Sequence, residues 1–236
     1  NQIVFGDLRD AADPLDANLL FPIKLSETST VTLYGGVSLL ERDRDSEIRR
    51  YQYFGQDTVS DAELFGPLEG IFSDDNIFPG GVELREVTRN TDTYVASQDL
   101  DGYYLNVDYS WRELLRFTLG ARQEKLDQEV TTFNIVNPEQ VVSQSLIATD
   151  DILPSASMPW WIDQESQLRA LYPETVSRPD FRELSDAPFT DPQLDAESIG
   201  NPDLVPAARK NYDLRYEYDF APSQVASVAA CYKDLT

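Results

Sequence analysis

The chain is predicted to be all-β, an antiparallel up-and-down transmembrane β-barrel segment of about eight strands with short turns on one side and long loops on the other. Three observations predict it. In residues 211–220, NYDLRYEYDF, the side chains Tyr212, Leu214, Tyr216, Tyr218 and Phe220 fall on one face of an extended chain, and Asn211, Asp213, Arg215, Glu217 and Asp219 on the other. An apolar, mostly aromatic face opposed by an ionic or amide face suits a wall with lipid outside and water inside. No run of roughly 18 to 20 apolar residues exists, which excludes a helical span but not strands, whose hydropathy signal is weaker. The connections also alternate in length, with short turns at 26–29, 112–113, 163–166 and 221–223 separated by long acidic loops.

Taken in order, residues 1–14 carry little pattern and read as a loop or the tail of an earlier strand. Residues 16–25 read as a strand, in which Pro22 fits an edge or a bulge because it has no N–H for a ladder. After the turn at 26–29, residues 30–39 alternate Val31, Leu33, Gly35, Val37 and Leu39 against Thr30, Thr32, Tyr34, Gly36 and Ser38. The charged run 41–50 continues this strand and has two readings, a salt-bridged, solvated strand end above a membrane, which is favoured, or a binding patch. Residues 55–81 form a long loop, whose SDDN at 73–76 is a solvated tip without the spacing of an EF-hand.

Residues 82–111 read as one long descending strand and 114–133 as its return, with Leu115, Phe117, Leu119 and Ala121 opposing Arg116, Thr118, Gly120, Arg122 and Glu124. Residues 134–150 read as a second loop, 151–162 as a descending strand and 167–176 as a rising one. Trp160 and Trp161, beside the turn at 163–166, suit an interfacial aromatic belt. Residues 178–209 form the third loop, and 210–220 with 224–236 the last hairpin, whose Cys231 reads as a small packed residue.

Composition narrows the functions. The 42 acidic against 19 basic residues, a formal charge of -23, argue against a nucleic-acid partner. There is no histidine and one cysteine, which removes the common zinc site, the serine triad, the Cys-His dyad and any intrachain disulfide. No carboxylate pair is singled out by spacing, so the chain is expected not to be an enzyme and to carry no cofactor or metal. The opening NQIVFGDLRD is not a signal peptide and residues 224–236 stop in mid-strand, so the chain is expected to be an internal piece of a longer export product.

The segments SRPDFREL (177–184), GNPDLVPA (200–207), NYDLRYE (211–217) and YK (232–233) stand in this order within sixty residues. That series resembles the C-terminal half of the barrel of TonB-dependent outer-membrane receptors, and the likeness extends upstream through 101–126 and 35–54. The resemblance implies that residues 1–236 are a partial receptor barrel lacking its plug domain. It implies a protein of the bacterial outer membrane that binds a scarce ligand, a siderophore, cobalamin or an oligosaccharide, and imports it with TonB-coupled energy. Its partners would be outer-membrane lipid, its own N-terminal plug, the TonB protein and the small molecule. Pro159 and Pro173 depart from the family pattern, sitting in mid-strand where a ladder donor is usual.

Ligand-binding or loop-scaffold candidates are Arg178, Asp180, Arg182 and Glu183, with a salt-bridged cluster over the barrel mouth the favoured reading. Lumen-facing candidates are Arg122, Glu124, Asp213, Arg215 and Glu217, which suit cross-strand charge pairs in a watery interior. Two rivals share parts of the pattern: a soluble β-rich carbohydrate-binding module and a passive porin. The soluble rival requires Tyr212, Leu214, Tyr216 and Tyr218 to be buried between two layers.

Overall fold

A computed structural model of the chain describes residues 2–55, 66–77, 80–191 and 196–235. Its strands are β1 (Gln2–Lys24), β2 (Ser29–Gly55), β3 (Val82–Glu86), β4 (Thr93–Trp111), β5 (Leu115–Asn134), β6 (Asn137–Trp161), β7 (Ser166–Ser177), β8 (Phe189–Asp191), β9 (Ala196–Ser198), β10 (Ala207–Ala221) and β11 (Gln224–Leu235). Two one-turn helices, α1 (Leu68–Ile71) and α2 (Phe181–Leu184), also occur among the described residues. The antiparallel path β1-β2-β4-β5-β6-β7-β10-β11 makes one sheet, with β3 added to β2 and β8-β9 a separate small hairpin. All four expected short turns join neighbouring strands at one end of this sheet.

The lower part of the sheet keeps the alternation read from the sequence. Leu105 is 62% exposed, Leu119 48% and Leu214 50%, so no second layer covers this face. Tyr212, Tyr216 and Tyr218 are likewise uncovered, the opposite of what a soluble sandwich requires. Trp111 and Trp160, both opposite Leu115, are exposed on this face beside the short turns, where an interfacial belt would lie, whereas Trp161, one residue on, belongs to the other face.

Higher up, the two faces exchange character. Asp13, Glu41, Asp99 and Asp127 lie directly opposite one another across β1, β2, β4 and β5, on the face that is apolar below. On the other face Tyr94, Ala96, Leu126, Val130 and Ile147 are buried. At this height the outer face carries a row of carboxylates, and the inner face meets the folded loop at Phe181 and Leu184. The pleat is unbroken, but what each face touches has changed.

Several expectations need correction. Residues 2–14 are strand, not loop: Gln2 already pairs with Gln52, because β2 runs on to Gly55 and offers a ladder that no hydropathy pattern reveals. Residues 137–150 are strand rather than a second loop, pairing with β5 up to Asn134 opposite Asn137. The long strand at 82–111 is two, since β3 pairs with the end of β2 while β4 starts only at Thr93. The third loop also holds regular structure, α2 and the β8-β9 hairpin. Cys231 is exposed rather than packed, because β11 is an edge of the described sheet. Of the loop at 55–81, residues 56–65, 78 and 79 lie outside the described residues.

The prolines act as ladder chemistry dictates. Pro22 lies on the edge strand β1. The β5-β6 register passes from Leu115 opposite Trp160 to Thr118 opposite Ser157, with a gap at Pro159. The β7-β10 register passes from Glu174 opposite Lys210 to Leu171 opposite Asp213, with a gap at Pro173. Asn211 Nδ2 fills part of this second gap by donating to the Pro173 carbonyl at 3.1 Å. Pro173 is also the last β7 residue paired with β6, so the rest of β6 rises beside β5 alone.

The turn between β4 and β5 yields a first prediction. Arg112 and Glu113 both have positive φ, at 51° and 56°, the backbone of a two-residue hairpin turn that favours Asn-Gly. Glu113→Gly is expected to stabilise the hairpin by about 1 kcal/mol, the ordinary cost of a left-handed non-glycine residue. A thermal unfolding scan of the intact protein checks this, and an unchanged or lowered midpoint would contradict it.

Candidate functional site

The charged and apolar groups of the upper, inner wall converge on the third loop. Within SRPDFREL, Asp180 is the N-cap of α2: its carboxylate accepts from the Arg182 amide at 3.2 Å, and Glu183 Oε2 accepts from the Asp180 amide at 2.8 Å. This reciprocal capping box starts a helix of one turn. Phe181 and Leu184, three residues apart, then share a helix face. Each is 1% exposed and packs into the cradle formed by Tyr94, Ala96, Leu126, Val130 and Ile147.

Charges frame this apolar contact. Arg42 and Arg44, alternate residues on β2, place their guanidinium carbons 4.9 and 5.2 Å from the Phe181 ring centroid. Both also bind two carboxylates. Asp180 lies 3.4 Å from Arg42 and 3.0 Å from Arg44. Asp10 of β1 pairs with Arg42 at 2.8 Å and with Arg44. The hydrogen bond from Arg42, with help from Arg44, holds the Asp10 carboxyl down at about 2. An acid depressed in the folded state contributes stability above its unfolded value near 4, and loses it only as pH falls toward about 2. The clamp is therefore fully charged throughout the neutral range.

Two further nodes fix the loop. Arg178 reaches Glu124 at 2.6 Å and Asp151 at 3.2 Å, and Arg122 also donates to Glu124 at 2.6 Å. Burial works to raise the Glu124 carboxyl, but these hydrogen bonds and charges outweigh it and leave it lowered. At the other end Arg50 pairs with Asp92 at 2.9 Å and donates to the Pro188 carbonyl at 3.4 Å. Arg89 binds Glu197 at 2.7 Å. Gln128 Nε2 donates to the Pro179 carbonyl at 3.1 Å between the nodes.

The second motif of the loop closes onto the first. The amides of Gly200 and Asn201 donate to the carbonyls of Ser185 and Glu183, at 3.1 and 2.6 Å, and so satisfy the end of α2. A Cβ on Gly200 would lie 2.6 Å from the carbonyl oxygens of Arg182 and Glu183, and would also meet that of Ser185. SRPDFREL and GNPDLVPA are therefore one interlocked unit. Gly200→Ala is expected to loosen it by about 1–3 kcal/mol through overpacking against backbone. Hydrogen exchange at residues 200–201 of the intact protein should accelerate, and unchanged exchange would contradict the interlock.

The nine candidates thus divide. Arg178, Asp180 and Glu183 hold the loop, together with Arg122 and Glu124 of the wall. Arg182 stacks on Phe189, with its guanidinium carbon 3.3 Å from the ring centroid. Asp213, Arg215 and Glu217 lie on β10 and share no hydrogen bond or ion pair with the loop among the described residues. There Arg215 pairs with Glu217 at 2.9 Å, and Arg169 with the same carboxylate at 3.4 Å.

Sequence reasoning missed Asp10, Arg42, Arg44, Arg50 and Asp92. A signal for three of them was present. In 41–50 Arg42, Arg44 and Arg50 are even and Glu41, Asp43, Asp45 and Glu47 odd, so the run sorts its charges by face except at Arg49, which is odd and pairs with Glu47.

This wall and its clamped loop match known proteins. A family model described as TonB dependent receptor-like, beta-barrel, matches residues 7–236. The chain belongs to the TonB-dependent receptor β-barrel family. Among solved structures, the unliganded ferric citrate transporter FecA superposes with a TM-score of 0.65 at 11% identity, covering 99% of this chain and 29% of that one. The siderophore receptor PiuA from Acinetobacter baumannii superposes at 0.56 with 12% identity, covering 96% of this chain and 32% of that one. At such identities the likeness shows a shared fold. No curated protein sequence matches the chain. The TonB-dependent receptor family and this fold are those of receptors and transporters rather than enzymes.

Proposed function

We propose that this chain is part of the wall of an outer-membrane active-transport receptor, which binds a scarce ligand and imports it with TonB-coupled energy. The ligand is a siderophore, cobalamin or an oligosaccharide, taken up by the outer loops and upper lumen. The observation that carries this reading is the family match over residues 7–236. It is supported by an apolar band on one side of the lower sheet and a water-facing acidic surface above it.

In this reading outer-membrane lipid covers the band. A plug domain contributed by chain beyond these residues packs against the inner wall, and the TonB protein engages that plug region. Asp213, Arg215 and Glu217 line the lumen, and Arg178, Asp180 and Glu183 keep the third loop folded over its mouth. A charge of -23 keeps nucleic acid out of the account.

The test is uptake of labelled candidate ligands by cells carrying the intact receptor, with and without a functional TonB protein. Saturable uptake that is lost without TonB is the expected result. Entry indifferent to TonB and linear in ligand concentration would make the barrel a passive porin.

A further inference from the structure

Between the inner wall and the docked loop lies a cleft of about 540 Å³. Pockets for small molecules usually measure about 300–1,000 Å³. Its wall side is built by Leu8 of β1, Ile48 of β2 and Tyr94 of β4, and its loop side by Arg182 and Phe189, with Arg44 at one end. Leu8 is 61% exposed there, an apolar side chain left open to the cleft.

The two arginines of the cleft differ in kind. Arg44 is saturated, since Asp10 and Asp180 both bind it. Arg182 has no carboxylate partner among the described residues, in a chain with 42 acidic side chains. Its guanidinium carbon lies 3.3 Å from the Phe189 ring centroid. A cation–π contact spends none of the guanidinium N–H donors on an anion, and their fork matches a carboxylate. Asp7 and Glu47 also border the cleft, but each is paired with its own arginine, Arg9 at 3.5 Å and Arg49 at 2.7 Å.

We propose that this cleft binds a small aromatic carboxylate, whose acid group is forked by Arg182 and whose ring packs among Leu8, Ile48 and Tyr94. The inference rests on the reading of this face as the lumen of a ligand-binding receptor, and it narrows the ligand chemistry. An aromatic acid fits better than a neutral sugar, because Leu8, Ile48 and Tyr94 give the cleft an apolar side and Arg182 offers it a cation with no carboxylate partner among the described residues.

The test is saturation-transfer NMR on the purified intact receptor, with benzoate as probe and benzamide as its uncharged counterpart. Benzoate is expected to bind about tenfold more tightly than benzamide, as losing one charge-assisted hydrogen-bond pair implies. Arg182→Gln should remove this preference while hydrogen exchange at 181–185 stays unchanged, showing that the loop is still docked. If that variant undocks the loop, Leu8→Trp fills the cleft from the wall side and should abolish benzoate binding by itself. Equal binding of the two probes, or benzoate binding unaffected by Leu8→Trp, overturns the site. Failure of benzoate to bind alongside TonB-dependent uptake removes only this site, whereas TonB-independent uptake removes the transport reading and leaves benzoate binding standing.

Discussion

Truncating Phe181 to Ala is expected to release the third loop from the wall, at a cost of about 3–5 kcal/mol. The ring is 1% exposed, fills the centre of the apolar cradle and is covered by two guanidiniums. Its removal leaves a cavity and withdraws the surface on which Arg42 and Arg44 rest. Because the loop is a local unit, the loss should appear as local opening rather than as unfolding of the sheet. Amide exchange at residues 181–185 and 200–201 of the intact protein should accelerate roughly 100-fold or more, as that free energy converts. The β10-β11 ladder should exchange as before. Unchanged protection at 181–185 would show that Phe181 is not the anchor.

Replacing Asp92 by Ala is expected to cost about 3 kcal/mol, by taking the main partner from a buried cation and leaving it only the more distant Glu197 at 4.0 Å. The Asp92 side chain is 0% exposed and that of Arg50 5%, and the pair holds two segments at once. The backbone follows the side chains: the Ile48 amide donates to the Asp92 carbonyl at 3.0 Å, and the Val87 amide to the Arg50 carbonyl at 2.8 Å. Exchange at Ile48 and Val87 is the readout. The double variant Arg50→Met with Asp92→Ala should recover most of the loss, because an apolar replacement removes the unpaired charge. A double variant as weak as Asp92→Ala alone would mean that packing, rather than the stranded charge, sets the cost.

The hairpins of the lower sheet were legible because one face is apolar and uncovered and the other polar, so hydropathy repeats with a period of two. Tyr212 to Phe220 and Leu115 to Ala121 show that pattern plainly. The upper sheet was not legible in the same way. Residues 2–14 and 137–150 pair with neighbouring strands while facing water on the outside, so the apolar alternation that identified the other strands is missing. Signal there lay in the sign of charge, as in 41–50, not in hydropathy.

The third loop was half readable. The Asp180 and Glu183 capping box is local and can be seen three residues apart. The cradle it enters is assembled from Tyr94, Leu126, Val130 and Ile147, three different strands whose register no local pattern states. The link from Gly200 back to Ser185 is likewise a contact between two motifs, absent from each motif alone.

In the proposed function the face bearing Leu105 and Leu214 meets lipid, and the face bearing Asn106 and Asp213 meets water. Spin labels placed singly at these four positions in the intact receptor, with Cys231→Ser and reconstituted in bilayers, measure it through collision with oxygen and with a water-soluble nickel chelate. Labels at Leu105 and Leu214 should collide with oxygen and be shielded from nickel, and those at Asn106 and Asp213 should show the reverse. A label at Asp127, on the same outward face but higher, should meet nickel. Equal nickel access at Leu105 and Asn106, or oxygen preference at Asp213, would contradict the wall.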